Sequence, residues 1–159
     1  CYFSMHELKI SADDLVENPI DEGCRELVNR LLKLRKQNKG KAVAIISGGE
    51  FVCPVRGSGI GGRNSETVLR CLLEMESNQS QNIDFAILSG GTDGIDGNSL
   101  ADGAIADNLS LKRAKELDLE LNQFLEKSDS FSLFQQLGDT IQTGATGTNV
   151  RDIRILLSQ

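Results

Sequence analysis

No run of eighteen apolar residues occurs in this chain, so no segment of it reads as a membrane-spanning helix. The basic, apolar and small-residue succession of a signal peptide is missing too. Positive charge is in the minority: 17 lysines and arginines stand against 23 aspartates and glutamates, a net charge of −6. With a pI of about 4.8, the chain lacks the basic face that a general nucleic-acid binder needs. Histidine is nearly absent. The one copy, His6, lies beside Met5, which leaves no Ser–His–Asp or Cys–His constellation to propose. The four cysteines, Cys1, Cys24, Cys53 and Cys71, make no CxxC pair. That argues against zinc and disulfides and for structural thiols in a reducing cytoplasm. Residues 1–4 read as a cloning remnant, and residues 5–159 as one domain large enough to bury a core.

What the chain does have is patterned. From Asp21, just after Pro19, Cys24, Leu27, Val28, Leu31 and Leu32 recur at helical spacing as far as "NKGK". "KAVAIISGG" is a continuous apolar run of strand length. "FVCPV" is a second strand candidate, reduced to an edge by Pro54. A helix is expected from Asn64, with Val68, Leu69, Leu72, Leu73 and Met75 on its apolar side. "FAILSGG" is another buried strand. Residues 102–136 read as short helices with Ser110 and Ser128 as caps, and "IRILL" closes the chain as a strand. Strands alternating with helices predict an α/β domain with a largely parallel sheet.

Much of the glycine gathers in three loops. The first, "GSGIGGRNSE", has GxGxxG spacing at Gly57, Gly59 and Gly62. A dinucleotide site would need a central strand before it and an acidic residue about twenty positions on, at the next strand's end. Pro54 spoils the strand, Glu74 and Glu76 fall in an expected helix, and Asp93 lies too far downstream. A P-loop is excluded because no Lys-Ser/Thr pair follows the glycines. Backbone amides near a helix start still suit an anion. Arg63 adds a fork that fits phosphate or carboxylate. Asn64 is a candidate cap and Glu66 suits the first turn. A plain glycine turn with a solvated arginine is the competing reading.

The second loop, "SGGTDGIDG", carries Asp93 and Asp96. Either carboxylate could accept from a ligand hydroxyl or hold Mg²⁺ through water. Ordinary Asx turns explain the two Asp-Gly pairs as well. The third, "TGATGTN", offers Thr143, Thr146 and Thr148, as an oxyanion cradle or as a strand-entry turn. "IISGGE" and "ILSGGT" echo one another, and ligands collect at strand carboxyl ends. The loops are therefore expected to converge.

Taken in order, "SGGE" with "RGSGIGGRNSE", "SGGTDGIDG" with "DGAIAD", and "TGATGTNVRD" resemble the MOFRL domain, the C-terminal domain of the class II glycerate kinases (glycerate 2-kinase family). "KSDSFSLFQQLGD" is similar as well, and the likeness runs from about Val43 to Leu157. It implies a Rossmann-like three-layer α/β domain, its sheet largely parallel or mixed, with helices on both faces. It implies ATP with Mg²⁺ as cofactor and D-glycerate as the phosphorylated substrate, at a cleft shared with a larger N-terminal domain. That domain, with a lysine important for catalysis, finds no room before Val43. The family's Gly-Gly-Arg-Asn motif falls on Gly61, Gly62, Arg63 and Asn64, which makes Arg63 the catalytic arginine. Gly48, Gly49, Glu50, Gly57, Gly59, Glu66, Thr92, Asp93, Asp96 and Thr146 would line or buttress the same cleft. Gly147, Thr148 and Asn149 carry the family's Gly-Thr-Asn motif. Ser65, Asn98-Ser99 and Ala145 depart from the usual Gln, Pro-Thr and Pro. Three functions remain open at this point: a kinase half-site, a stand-alone non-catalytic ligand-binding module, and a dinucleotide-dependent enzyme. A homodimer is left open too.

Overall fold

The structure, a computed structural model, describes residues 18–78 and 83–159. The expectations for Cys1, Met5, His6 and the loop at 79–82 lie outside those residues. Helix α1 spans Ile20–Gln37 and α2 spans Arg63–Ser77. The apolar stripes expected for both are their buried faces, including Cys24, Leu27, Val28 and Leu31 on α1 and Val68, Leu69, Leu72 and Met75 on α2. Three shorter helices follow: α3 (Asn108–Glu116), α4 (Leu121–Glu126) and α5 (Ser130–Leu137). Their caps are not the expected serines. Asp107 caps α3 through Leu109 N and Ser110 N, while Glu120 and Asp129 precede α4 and α5.

Five strands form one sheet: β1 (Val43–Gly49), β2 (Phe85–Gly91), β3 (Gly103–Asp107), β4 (Thr140–Ile141) and β5 (Asp152–Ser158). Their order is β1-β5-β2-β3-β4, and every neighbouring pair is antiparallel. This overturns the largely parallel, Rossmann-like sheet expected above. β1 and β2, joined through α2, do run the same way, as a strand–helix–strand crossover requires. The last strand, β5, lies between them and runs opposite to both. Where short helices are expected from residue 102 on, the structure has β3: Gly103, Ala104 and Ala106 carry almost no side-chain signal. "FVCPV" is not a strand. Only Val52 pairs, in a bridge to Pro19.

The core lies on one side of the sheet. Ile45, Leu156 and Ile87 face each other across β1, β5 and β2, and all three pack into a single cluster with residues of α1, α2, α3, α4 and α5. The neighbouring row, Ile46, Ile155, Leu88 and Ile105, points to the opposite face and contributes nothing to that cluster. Among the described residues the domain therefore has two layers, not three.

Candidate functional site

The strand order settles where the loops meet. In both β1 and β2 the sequence Ser-Gly-Gly ends against β5 in the same register. Ser47 and Ser89 flank Arg154, and Gly49 and Gly91 flank Asp152. α2 begins over this edge. Its N-cap residue, Gly62, has no side chain to cap with. Asp96 does that work from the second loop, accepting from Asn64 N at 2.7 Å, Ser65 N at 2.9 Å and the Ser65 hydroxyl at 2.6 Å. The Asp96 carboxylate is only 1% exposed, and burial pushes its pKa up against those bonds.

Arg63 opens α2 and reaches Asp152 on β5. Its Nε donates to Oδ2 at 2.6 Å and its Nη2 to Oδ1 at 3.2 Å. Glu50, just past β1, lies 3.3 Å from the same Nη2. The Asp152 bond holds the guanidinium pKa above its ordinary value. The arginine side chain keeps 31% of its surface exposed, so it is partly exposed while paired to a buried carboxylate. Asn64 is not a cap. Its amide donates to Asp152 Oδ1 at 3.0 Å and its oxygen accepts from the Ser89 hydroxyl at 2.6 Å.

The glycine loop is knitted to its surroundings. Gly59 N donates to Lys127 O, Ile60 N to Asp129 Oδ1, and Gly61 N to Asn98 Oδ1. Gly57 and Gly61 also lie hard against the turn at 127–130. These amides are spent inside the chain rather than left free for an anion. The second and third loops join through Thr146 N to Asp93 O and Asn149 Nδ2 to Asp93 Oδ2, and Thr92 O accepts from the Thr146 hydroxyl. Gly147 takes a left-handed φ of 73° beside Thr148. Thr146, Gly147, Thr148 and Asn149 are all exposed.

A cavity of about 390 Å³ opens between the first two loops, with Gly59, Gly61, Gly62, Arg63, Asn64, Glu66 and Asp96 among the residues of its wall. Gly48, Gly49 and Glu50 sit beyond Arg63 at the end of β1. The third loop does not line the cavity. Glu66 does, with its carboxylate bound to buried Arg70 at 2.8 Å. Cys53 shares that wall, and burial followed by the Glu66 charge pushes its thiol up to about 12.

Two residues here escaped the sequence reading. Asp152 joins Arg63 to the sheet. Arg154, two positions on and 3% exposed, stacks over the Phe51 ring at 4.0 Å and donates through Nη2 to Gly48 O. Its Nε and Nη1 have no partner among the described residues, and burial lowers its pKa. The signal was strand alternation: Asp152 and Arg154 share a face with Leu156 and Ser158, while Ile153, Ile155 and Leu157 take the other.

Residues 43–152 match the MOFRL family. This chain belongs to it. It is 38% identical over 137 residues to a glycerate kinase of Danio rerio, covering 84% of this chain and 27% of that protein. A D-glycerate 2-kinase of Thermotoga maritima is 36% identical over 149 residues, 89% of this chain and 34% of the relative. Among solved structures, a Thermotoga maritima glycerate kinase superimposes with a TM-score of 0.80 at 31% identity, over 94% of this chain and 36% of that one. The MOFRL chain thus spans about a third or less of the length of these relatives. Among its described residues no helix is long and apolar enough to cross a membrane.

Proposed function

We propose that this MOFRL chain furnishes one side of an interdomain site at which ATP phosphorylates D-glycerate to phosphoglycerate. Arg63 is the catalytic residue, stabilising charge on the transferring phosphoryl group. The observation that carries this is a guanidinium tied down along one edge, partly exposed, on the wall of a cavity of about 390 Å³. The kinase names of the relatives support the substrate class. In this reading Asn64 lines the cavity, and Glu50, Thr92, Asp93, Thr148 and Asn149, outside its wall, face the wider interdomain cleft. Gly48, Gly49, Gly57, Gly59, Gly61, Gly62, Glu66, Asp96, Thr146 and Gly147 shape it.

ATP arrives as its Mg²⁺ complex, in which phosphate and water supply most of the metal's shell. No cluster of three or more His, Cys, Asp or Glu side chains suited to a metal exists among the described residues. Both Asp96 oxygens already serve the start of α2. Among the described residues the Asp93 carboxylate, half-buried in the second loop, accepts only from Ile95 N and Asn149 Nδ2, both at 3.2 Å, longer than the bonds at Asp96, and is the one that fits such a phosphate-held ion. The reaction belongs to a reducing cytoplasm, where Cys24, Cys53 and Cys71 stay free thiols.

Phosphoryl transfer needs charge and positioning from both sides of the reacting phosphate. In a coupled ADP-release assay with D-glycerate, the 159-residue chain alone is expected to show no turnover. Mixed with a matching N-terminal domain, it is expected to be active. Arg63→Ala should then lower the rate by about 10²-fold or more, the scale for one transition-state charge donor. Robust turnover by the chain alone, or an unaffected Arg63→Ala mixture, overturns the reading.

A further inference from the structure

We propose that Asp152 is a positioning residue of this same site: it clamps the Nε–Nη2 edge of Arg63 so that the Nη1–Nη2 edge meets the ligand's phosphate or carboxylate. The inference rests on the reading of Arg63 as an anion-binding group. A guanidinium offers two forks to carboxylates and phosphates, one along the Nε edge and one across the two terminal nitrogens. Asp152 occupies the first with both of its oxygens, at 2.6 and 3.2 Å. On the second, Nη2 meets Glu50 at 3.3 Å, and Nη1 bonds to nothing among the described residues. Glu50 keeps 41% of its side chain exposed and has room to withdraw when an anion arrives.

Asp152 is well placed as an anchor. It is 3% exposed and starts the central strand β5, paired with Gly49 on one side and Gly91 on the other. Asn64 donates to its Oδ1 and is in turn held by Ser89. A long, rotamer-rich arginine side chain is thereby fixed before the ligand binds, which removes part of the ordering cost of binding. By charge alone a buried carboxylate beside an anion site repels the ligand. Positioning and charge thus predict opposite signs when Asp152 is neutralised.

The test uses the 159-residue chain, ¹⁵N-labelled at arginine, with 2-phosphoglycerate as the probe. Asp152→Asn should bind the probe about tenfold more weakly, the factor corresponding to ~1.4 kcal/mol. The heteronuclear NOE of Arg63 Nε–H should fall at the same time. Asp152→Glu keeps the charge but displaces it, and should weaken binding as well. It also carries the test if the asparagine variant does not fold. Binding by Asp152→Asn that is unchanged or tighter, with the Arg63 NOE intact, overturns this inference alone. If the unsubstituted chain binds no 2-phosphoglycerate, the anion-site reading and this inference fall together.

Discussion

Cys53 lies on the cavity wall, yet it is poorly suited to react. The thiolate is the nucleophile, and burial, reinforced by the Glu66 carboxylate, lifts the thiol from an ordinary 9.0 to about 12. The folded chain therefore holds this proton more tightly than the unfolded one. The resulting stability is complete below pH 9 and lost as pH rises towards about 12. Iodoacetamide at pH 8 should label Cys53 far more slowly in the native chain than in urea, as read by mass spectrometry. Cys53→Ala should flatten the decline of urea-unfolding stability on the alkaline side. Rapid native labelling at pH 8 contradicts the shift. Residue by residue, legibility followed chain distance. Arg63 was readable because glycines and asparagine surround it locally. Its partner Asp152 was not, because it stands 89 positions away, and only the alternation of β5 betrays it.

At the scale of elements, Gly62 shows why the first loop is glycine-rich. Its φ is −152°, extended backbone open to any residue, so conformational freedom is not the reason. A Cβ there would land on the Asp96 backbone and carboxylate. At Gly48 a Cβ would meet only the Asp152 carbonyl at 3.8 Å, an ordinary contact. Gly62→Ala should therefore cost about 1–3 kcal/mol, the range for overpacking. Gly48→Ala should stay within about 0.5 kcal/mol, as a benign exposed change does. Chemical denaturation of both variants tests the contrast, and equal losses refute it. The same element shows what sequence could give. α1 and α2 were legible from apolar periodicity, and β1 and β2 from continuous apolar runs, both local signals. β3 was hidden because "GAIAD" draws its stability from pairing with β2 and from small residues beneath α2. The cap of α2 was hidden because it comes from Asp96 in another loop.

For the whole molecule, the antiparallel sheet separates the functional edge from the core. β1 and β2 deliver their Ser-Gly-Gly ends to one edge, and β5 carries Asp152 between them. The expected largely parallel sheet fails because the alternation of elements in sequence does not record where the last strand inserts: β5 enters between β1 and β2 and pairs antiparallel with both. The two faces of the sheet also differ energetically. Ile87, 1% exposed, is enclosed by the helical layer, whereas Ile105, 43% exposed, stands on the face that the helices leave uncovered. Truncating an enclosed isoleucine removes buried area and leaves a cavity, so Ile87→Ala should cost about 2–5 kcal/mol. On the open face there is less burial to lose and solvent fills the gap, so Ile105→Ala should cost less than about 1 kcal/mol. Urea titration at neutral pH, with equal m-values confirming comparable unfolding, measures both. A cost at Ile105 as large as at Ile87 would mean that a further layer covers that face, and would return the domain to the three-layer architecture first expected of it.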